Sequence, residues 1–217
     1  EAVDDLLREL SESAMRAGER ELDDLRVLAG DAEIGAADYT YWLARAARSK
    51  SDVPLDDFAD YCELETVLTR GVFYAANVLY GLRFVERPEL PAYHHDVRVW
   101  DVLDESGRSI GLFLGDYFAR PSKRSGAWMS AFRSQERLNG VVTPIIVNVM
   151  NFARAPEGET TLLSFDDART LYHEFGHALH GLLSAVDYPS QSGTSVPRDF
   201  VEFPSQVNEM WALHPDV

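Results

Sequence analysis

Over the first eighty positions apolar residues recur at helical spacing among acidic and basic ones. Leu6, Leu10, Leu22, Leu25 and Leu28 predict a helix over residues 1 to about 29, stopped by Gly30 and Asp31. A second helix is expected from about Ala36 to Arg48, with Ser51 to Pro54 as a connection. Leu64, Val67, Leu68, Val72, Ala75, Val78 and Leu79 mark a third, closed by Gly81 in a C-cap position. The period then falls to two. Val97 to Leu103 alternates, Asp104 to Arg108 holds turn residues, and Ile110 to Leu114 resumes apolar character, which together signal a hairpin. Thr143 to Phe152 reads as a further strand. Ser164-Phe-Asp-Asp167 resembles a capping box, with Asp in place of Glu or Gln, and opens a helix to about Val186. A last short helix is expected from about Asp199, with Pro204 near its start or bending it. The order predicts a mainly α chain with a small β-sheet, an α+β fold. Its parts are helical residues 1–81, sheet and loops over 82–163, and two site-bearing helices over 164–217.

Composition narrows the setting. The 217 residues include 46% apolar ones, enough for a real core, and 36 acidic against 20 basic residues give a net charge of −16. Such a field repels phosphate backbones and argues against a nucleic-acid partner. The single cysteine, Cys62, rules out a disulfide framework within the chain and argues against a thiolate metal site. Its place in the run Phe58 to Leu64 suits a buried small hydrophobe. No stretch approaches the roughly 18 apolar residues of a membrane span, and the acidic start lacks the features of a signal peptide. The expected setting is reducing and cytoplasmic.

The chemistry is concentrated in His173-Glu174-Phe175-Gly176-His177. Histidines at i and i+4 stand one turn apart on one helical face, so both imidazoles can converge on a cation. Glu174 lies about 100° around the helix, out of the ligand direction but within reach of a water beside the metal. Neutral imidazole suits Zn²⁺, and a catalytic zinc site takes three protein ligands with one open position. Gly176 leaves room for substrate or backbone. The bare motif is weak. However, Leu171, Phe175, Ala178, Leu179, Leu182 and Leu183 give this helix a core-facing surface, where unpaired imidazoles beside a carboxylate would be costly without a cation. A metzincin needs Gly at 180 and His at 183, where this chain has His180 and Leu183. A third ligand from a following helix is then expected. Glu202, twenty-five residues after His177, is the first candidate and Glu209 the fallback, while Asp187 follows the helix too closely to fold back. Gln206 and Glu209 are candidates to orient the ligand histidines. His94 and His95 are expected on opposite faces of a strand, and His180 at the edge of the core with a hydrogen bond.

Beyond the zinc motif the chain resembles the M3 family of zinc metallopeptidases, the thimet oligopeptidase and peptidyl-dipeptidase group. The likeness runs through Tyr80 to Arg87, Tyr93 to Trp100, Gly115 to Arg120, Lys123 to Trp128, Leu171 to Gly181 and Ser192 to Gln206, and so covers most of the chain from about Asp38. Within the family the wording is closest to the peptidyl-dipeptidases, which remove dipeptides from peptide C-termini. The resemblance implies a zincin-like core binding one Zn²⁺ per chain through His173, His177 and Glu202, with Glu174 as general base. It also implies short peptides as substrates. Family members are longer at both ends, which makes this chain an internal fragment, weak or inactive by itself. Their C-terminal region supplies the His and Tyr groups that assist at the oxyanion, and the loss of one such donor costs about 10²–10³ in rate. The resemblance leaves open an endo-acting oligopeptidase. The truncation leaves open a non-catalytic zinc-binding core. Residues that would bind substrate are not identified, although the Thr143 to Phe152 strand is a candidate sheet edge for an extended peptide.

Overall fold

The computed structural model describes residues 2–30, 32–50 and 61–215. The expected connection at Ser51 to Pro54 lies outside them. The chain divides into two compact units, 1–57 and 58–217. In the first, helices α1 (Ala2–Ala29) and α2 (Tyr39–Lys50) pack together, with the Tyr39 hydroxyl donating to Glu21 Oε2 at 2.7 Å.

The second unit opens with three contiguous helical segments: α3 (Leu64–Thr66), a π-helical stretch (Val67–Val72) and α4 (Phe73–Tyr80). Gly81 closes α4 at φ +66°, the left-handed conformation expected of a C-terminal glycine. Five strands follow: β1 (Arg83–Glu86), β2 (Arg98–Leu103), β3 (Ser109–Phe118), β4 (Trp128–Arg133) and β5 (Ile145–Phe152). Their order in the sheet is β1-β2-β3-β5-β4, antiparallel except for β3 with β5. The expected hairpin is β2 and β3. The expected strand at Thr143 to Phe152 is β5, but it lies inside the sheet, and β4 occupies the edge instead. Neither β1 nor β4 alternates clearly, because both lie at an edge with most residues exposed. His94 and His95 precede β2 in a turn, so their rings lie against each other, tilted by 31° with centroids 4.2 Å apart, instead of facing opposite ways.

Helix α5 (Phe165–Leu182) crosses one face of the sheet, followed by the short α6 (Arg198–Val201) and α7 (Phe203–Glu209). Ser164 and Asp167 form the expected capping box, each side chain accepting the other's backbone N–H. Helix α5 ends four residues earlier than its apolar pattern suggests. Gln135 draws the Val186 backbone away, accepting its N–H at 2.8 Å and donating to its carbonyl at 3.1 Å. Phe175, fully buried, fixes the helix to the sheet through edge contact with Phe113 at 5.3 Å, inside a cluster with Phe73 and Phe84. Cys62 is buried and reduced, as expected of a small hydrophobe. Among the described residues no helix is long and apolar enough to cross a membrane.

The loop leading into β4 is held by charge. Asp116, fully buried, takes a bidentate pair from Arg120 at 2.6 Å, an ammonium from Lys123 at 2.8 Å and the Tyr93 hydroxyl at 2.7 Å. Burial pushes its carboxyl up, but these donors together outweigh burial and hold it at about 2. A folded-state value below the unfolded one stabilises the fold above pH ~4, and the gain is lost as pH falls towards 2. Each tenfold change in proton affinity is worth about 1.4 kcal/mol, so roughly 2 kcal/mol is expected to disappear between pH 4 and pH 2. Denaturant titrations at pH 6, 3 and 2 check this. The Asp116→Asn chain should start less stable and show a flatter acid slope, and equal slopes would refute the assignment.

Candidate metal centre

Two neighbouring helices build the centre. His173 and His177 face the same side of α5, rings 4.9 Å apart and nearly perpendicular. Glu202 sits at the junction of α6 and α7, where Pro204 in the first turn of α7 interrupts the helical run. This break turns the Glu202 carboxylate towards α5. Its Oε2 lies 3.2 Å from His173 Nε2 and 3.1 Å from His177 Nε2. In a tetrahedral zinc site with bonds of about 2.0–2.1 Å, neighbouring ligand atoms stand about 3.3 Å apart. Glu202 Oε2 therefore stands at about this spacing from each histidine, all three donor atoms lie within 4.8 Å of one another, and the residues present fit the ion.

The surroundings tune each group. Burial raises the Glu174 carboxyl, with His173 pulling it down, Glu202 pushing it up and the Met129 backbone N–H lowering it again. Burial lowers the His177 imidazole, which favours the neutral form a metal needs. His173 Nδ1 meets Glu209 Oε1 at 2.6 Å, which puts Glu209, one of the two candidates, within reach of the ring's second nitrogen. For Gln206, the other candidate, the structure gives only its backbone bond to the Glu202 carbonyl. Ser205, to which no motif points, is fully buried and donates to the Glu202 carbonyl and carboxylate at 2.8 and 3.1 Å. His180 departs from expectation. Its Nδ1 is buried without a hydrogen-bond partner, and the ring faces an apolar cavity of about 500 Å³ lined by Leu179, Phe200, Val207 and Trp211.

A smaller cleft of about 290 Å³ contains His173, Glu174, His177 and Glu202 and is walled by Ala127, Trp128, Met129, Thr194 and Val201. The edge strand β4 thus borders the histidines directly, a role that its irregular pattern conceals.

Gly176 makes the two-helix arrangement possible. A Cβ there would stand 2.6 Å from Ser205 Cα, 2.9 Å from Asn208 Cβ and 3.0 Å from the Pro204 carbonyl. Two of those atoms are backbone, so α7 would have to move. The glycine makes room for α7. Gly176→Ala is expected to lose about 1–3 kcal/mol to overpacking, more than the ~1 kcal/mol gained from helix propensity. It should also weaken zinc binding at least tenfold by displacing Glu202. Thermal melts and chelator competition check both, and an unchanged zinc affinity would refute the argument.

Comparison with known proteins finds matches along the length of the chain. The model of peptidase family M3 matches residues 1–217. Dipeptidyl carboxypeptidase of Escherichia coli (strain K12) is 45% identical over 221 residues, covering 100% of this chain and 32% of that protein. Its Salmonella typhimurium counterpart is 48% identical over 188 residues, covering 87% and 28%. Oligopeptidase A of E. coli is 33% identical over 219 residues, covering 98% and 32%. The chain spans about a third of the length of these curated relatives.

Proposed function

The chain belongs to peptidase family M3, and from that premise we propose that it carries the zinc centre of a cytoplasmic metallopeptidase that releases C-terminal dipeptides from short peptides. The observation that carries the reading is the convergence of His173 Nε2, His177 Nε2 and Glu202 Oε2 within 3.1–3.2 Å contacts. These residues would hold one Zn²⁺. When bound, zinc supplies Lewis acidity towards water and the scissile carbonyl.

The protein's own groups account for the rest. Glu174, buried at the wall of the cleft and raised by that burial, takes the proton of the attacking water and passes it to the leaving amine. Glu209 holds the His173 ring through Nδ1, and Ser205 holds the Glu202 carboxylate. The exposed edge of β4 offers backbone groups to an extended peptide, which places the substrate beside Glu174 by strand addition. The preference for dipeptide release follows the higher identity to the two dipeptidyl carboxypeptidases than to oligopeptidase A.

Mass analysis of products from N-blocked peptides of increasing length tests the reading on the intact protein. Successive dipeptides from the C-terminus are expected. Internal cuts without dipeptide release would place it with endo-acting oligopeptidases instead.

A further inference from the structure

Asn148 sits in the middle of β5, paired with Gly115 on β3 and Met129 on β4. It is fully buried, and neither its Oδ1 nor its Nδ2 has a hydrogen-bond partner in the protein. A wholly unpaired carboxamide in a close-packed core costs stability, so its presence calls for a reason. Alternation along β5 assigns Asn148 to the face of Ile146 and Met150, which join the larger core cluster, whereas Val147 and Val149 join the other.

Helix α5 crosses the face that Asn148 shares. A Cβ at Gly181 would stand 2.7 Å from Ile146 Cδ1 and 3.1 Å from Met129 Cε, and Met129 borders the same cleft as Glu174. Asn148 is opposite Met129 and two residues from Ile146, and Met129 walls the cleft that the turn from Glu174 to His177 lines. That turn carries two more buried polar atoms without protein partners, Glu174 Oε2 and His177 Nδ1. A ligand imidazole needs an acceptor on its second nitrogen to fix tautomer and ring orientation. His173 has Glu209 for this purpose; His177 Nδ1 has no protein acceptor.

We propose that Asn148 is a positioning residue of the metal centre. Through an internal water its Oδ1 accepts the hydrogen bond of His177 Nδ1–H, and its Nδ2–H donates towards Glu174 Oε2. The role rests on the zinc reading above and extends it to the floor of the site.

The test compares this chain with Asn148→Leu, Asn148→Ala and Asn148→Ser for zinc affinity by chelator competition, the visible spectrum after Co²⁺ loading, and the thermal midpoint. Asn148→Leu should melt at or above the parent temperature, yet bind zinc at least tenfold more weakly and show an altered cobalt spectrum. Asn148→Ser, which keeps a hydroxyl, should recover affinity relative to the nearly isosteric Asn148→Ala, and this pair decides the matter if the leucine chain does not fold. Parent-like affinity and cobalt spectrum in Asn148→Leu, or equal affinities in the serine and alanine chains, would overturn the positioning role alone. A parent chain that takes up no metal would overturn the zinc reading and this role with it.

Discussion

Replacing Glu202 with alanine is expected to strip zinc from the chain while leaving its fold intact. The carboxylate is half exposed, so its removal opens no cavity, and Ser205 keeps the Glu202 backbone carbonyl as an acceptor. The two imidazoles remain, but they lose the oxygen that stands 3.1–3.2 Å from each of them. One ligand of three, in a site whose total binding free energy is about 10–16 kcal/mol, corresponds to a loss of about 3–5 kcal/mol, or roughly 10²–10⁴ in affinity. Glu209→Ala should cost less, about 10–100-fold, because in the proposed centre Glu209 contacts the second nitrogen of His173 rather than the metal. Chelator competition and circular dichroism report the two effects separately. If Glu202→Ala kept parental affinity while Glu209→Ala lost it, the third ligand would be Glu209.

The second large effect is expected at Glu174. In the intact enzyme, Glu174→Gln should retain zinc and lose about 10²–10⁴ in kcat, the usual contribution of a positioned general base. The substitution preserves the shape of the side chain, so the metal ligands on either side are expected to stay in place. The carboxyl lines the cleft beside the two histidines, and its burial raises its proton affinity, as a general base requires. Turnover on an N-blocked peptide, with zinc content measured on the same sample, checks this. More than a tenth of parental kcat in a zinc-loaded sample would remove Glu174 from the chemistry.

The readability of the chain follows local physics. The capping box at Ser164, the glycine stop at Gly81 and the β2–β3 hairpin are set by residues close in sequence, and the structure matches the expectations for each. The i, i+4 histidines need only a helix to share a face. Features decided by distant partners stay hidden. Nothing within β4 announces that it becomes the sheet edge beside the histidines, because that depends on β5 pairing in parallel with β3. The early end of α5 depends on Gln135, and Asn148 becomes unusual only when the sheet surrounds it. Gly176 reads as room for substrate or backbone beside the metal, and that the backbone is that of α7 emerges only from the packed helices. Ser205 escapes the sequence for the same reason: its hydroxyl matters only after Pro204 turns Glu202 inwards.

X-ray absorption at the zinc edge, recorded on the zinc-loaded and dialysed chain, addresses the central claim most directly. About one zinc per chain with only nitrogen and oxygen scatterers at about 2.0–2.1 Å is the predicted result. A dialysed chain without zinc, or a sulfur scatterer at about 2.3 Å that would implicate Cys62, would contradict it.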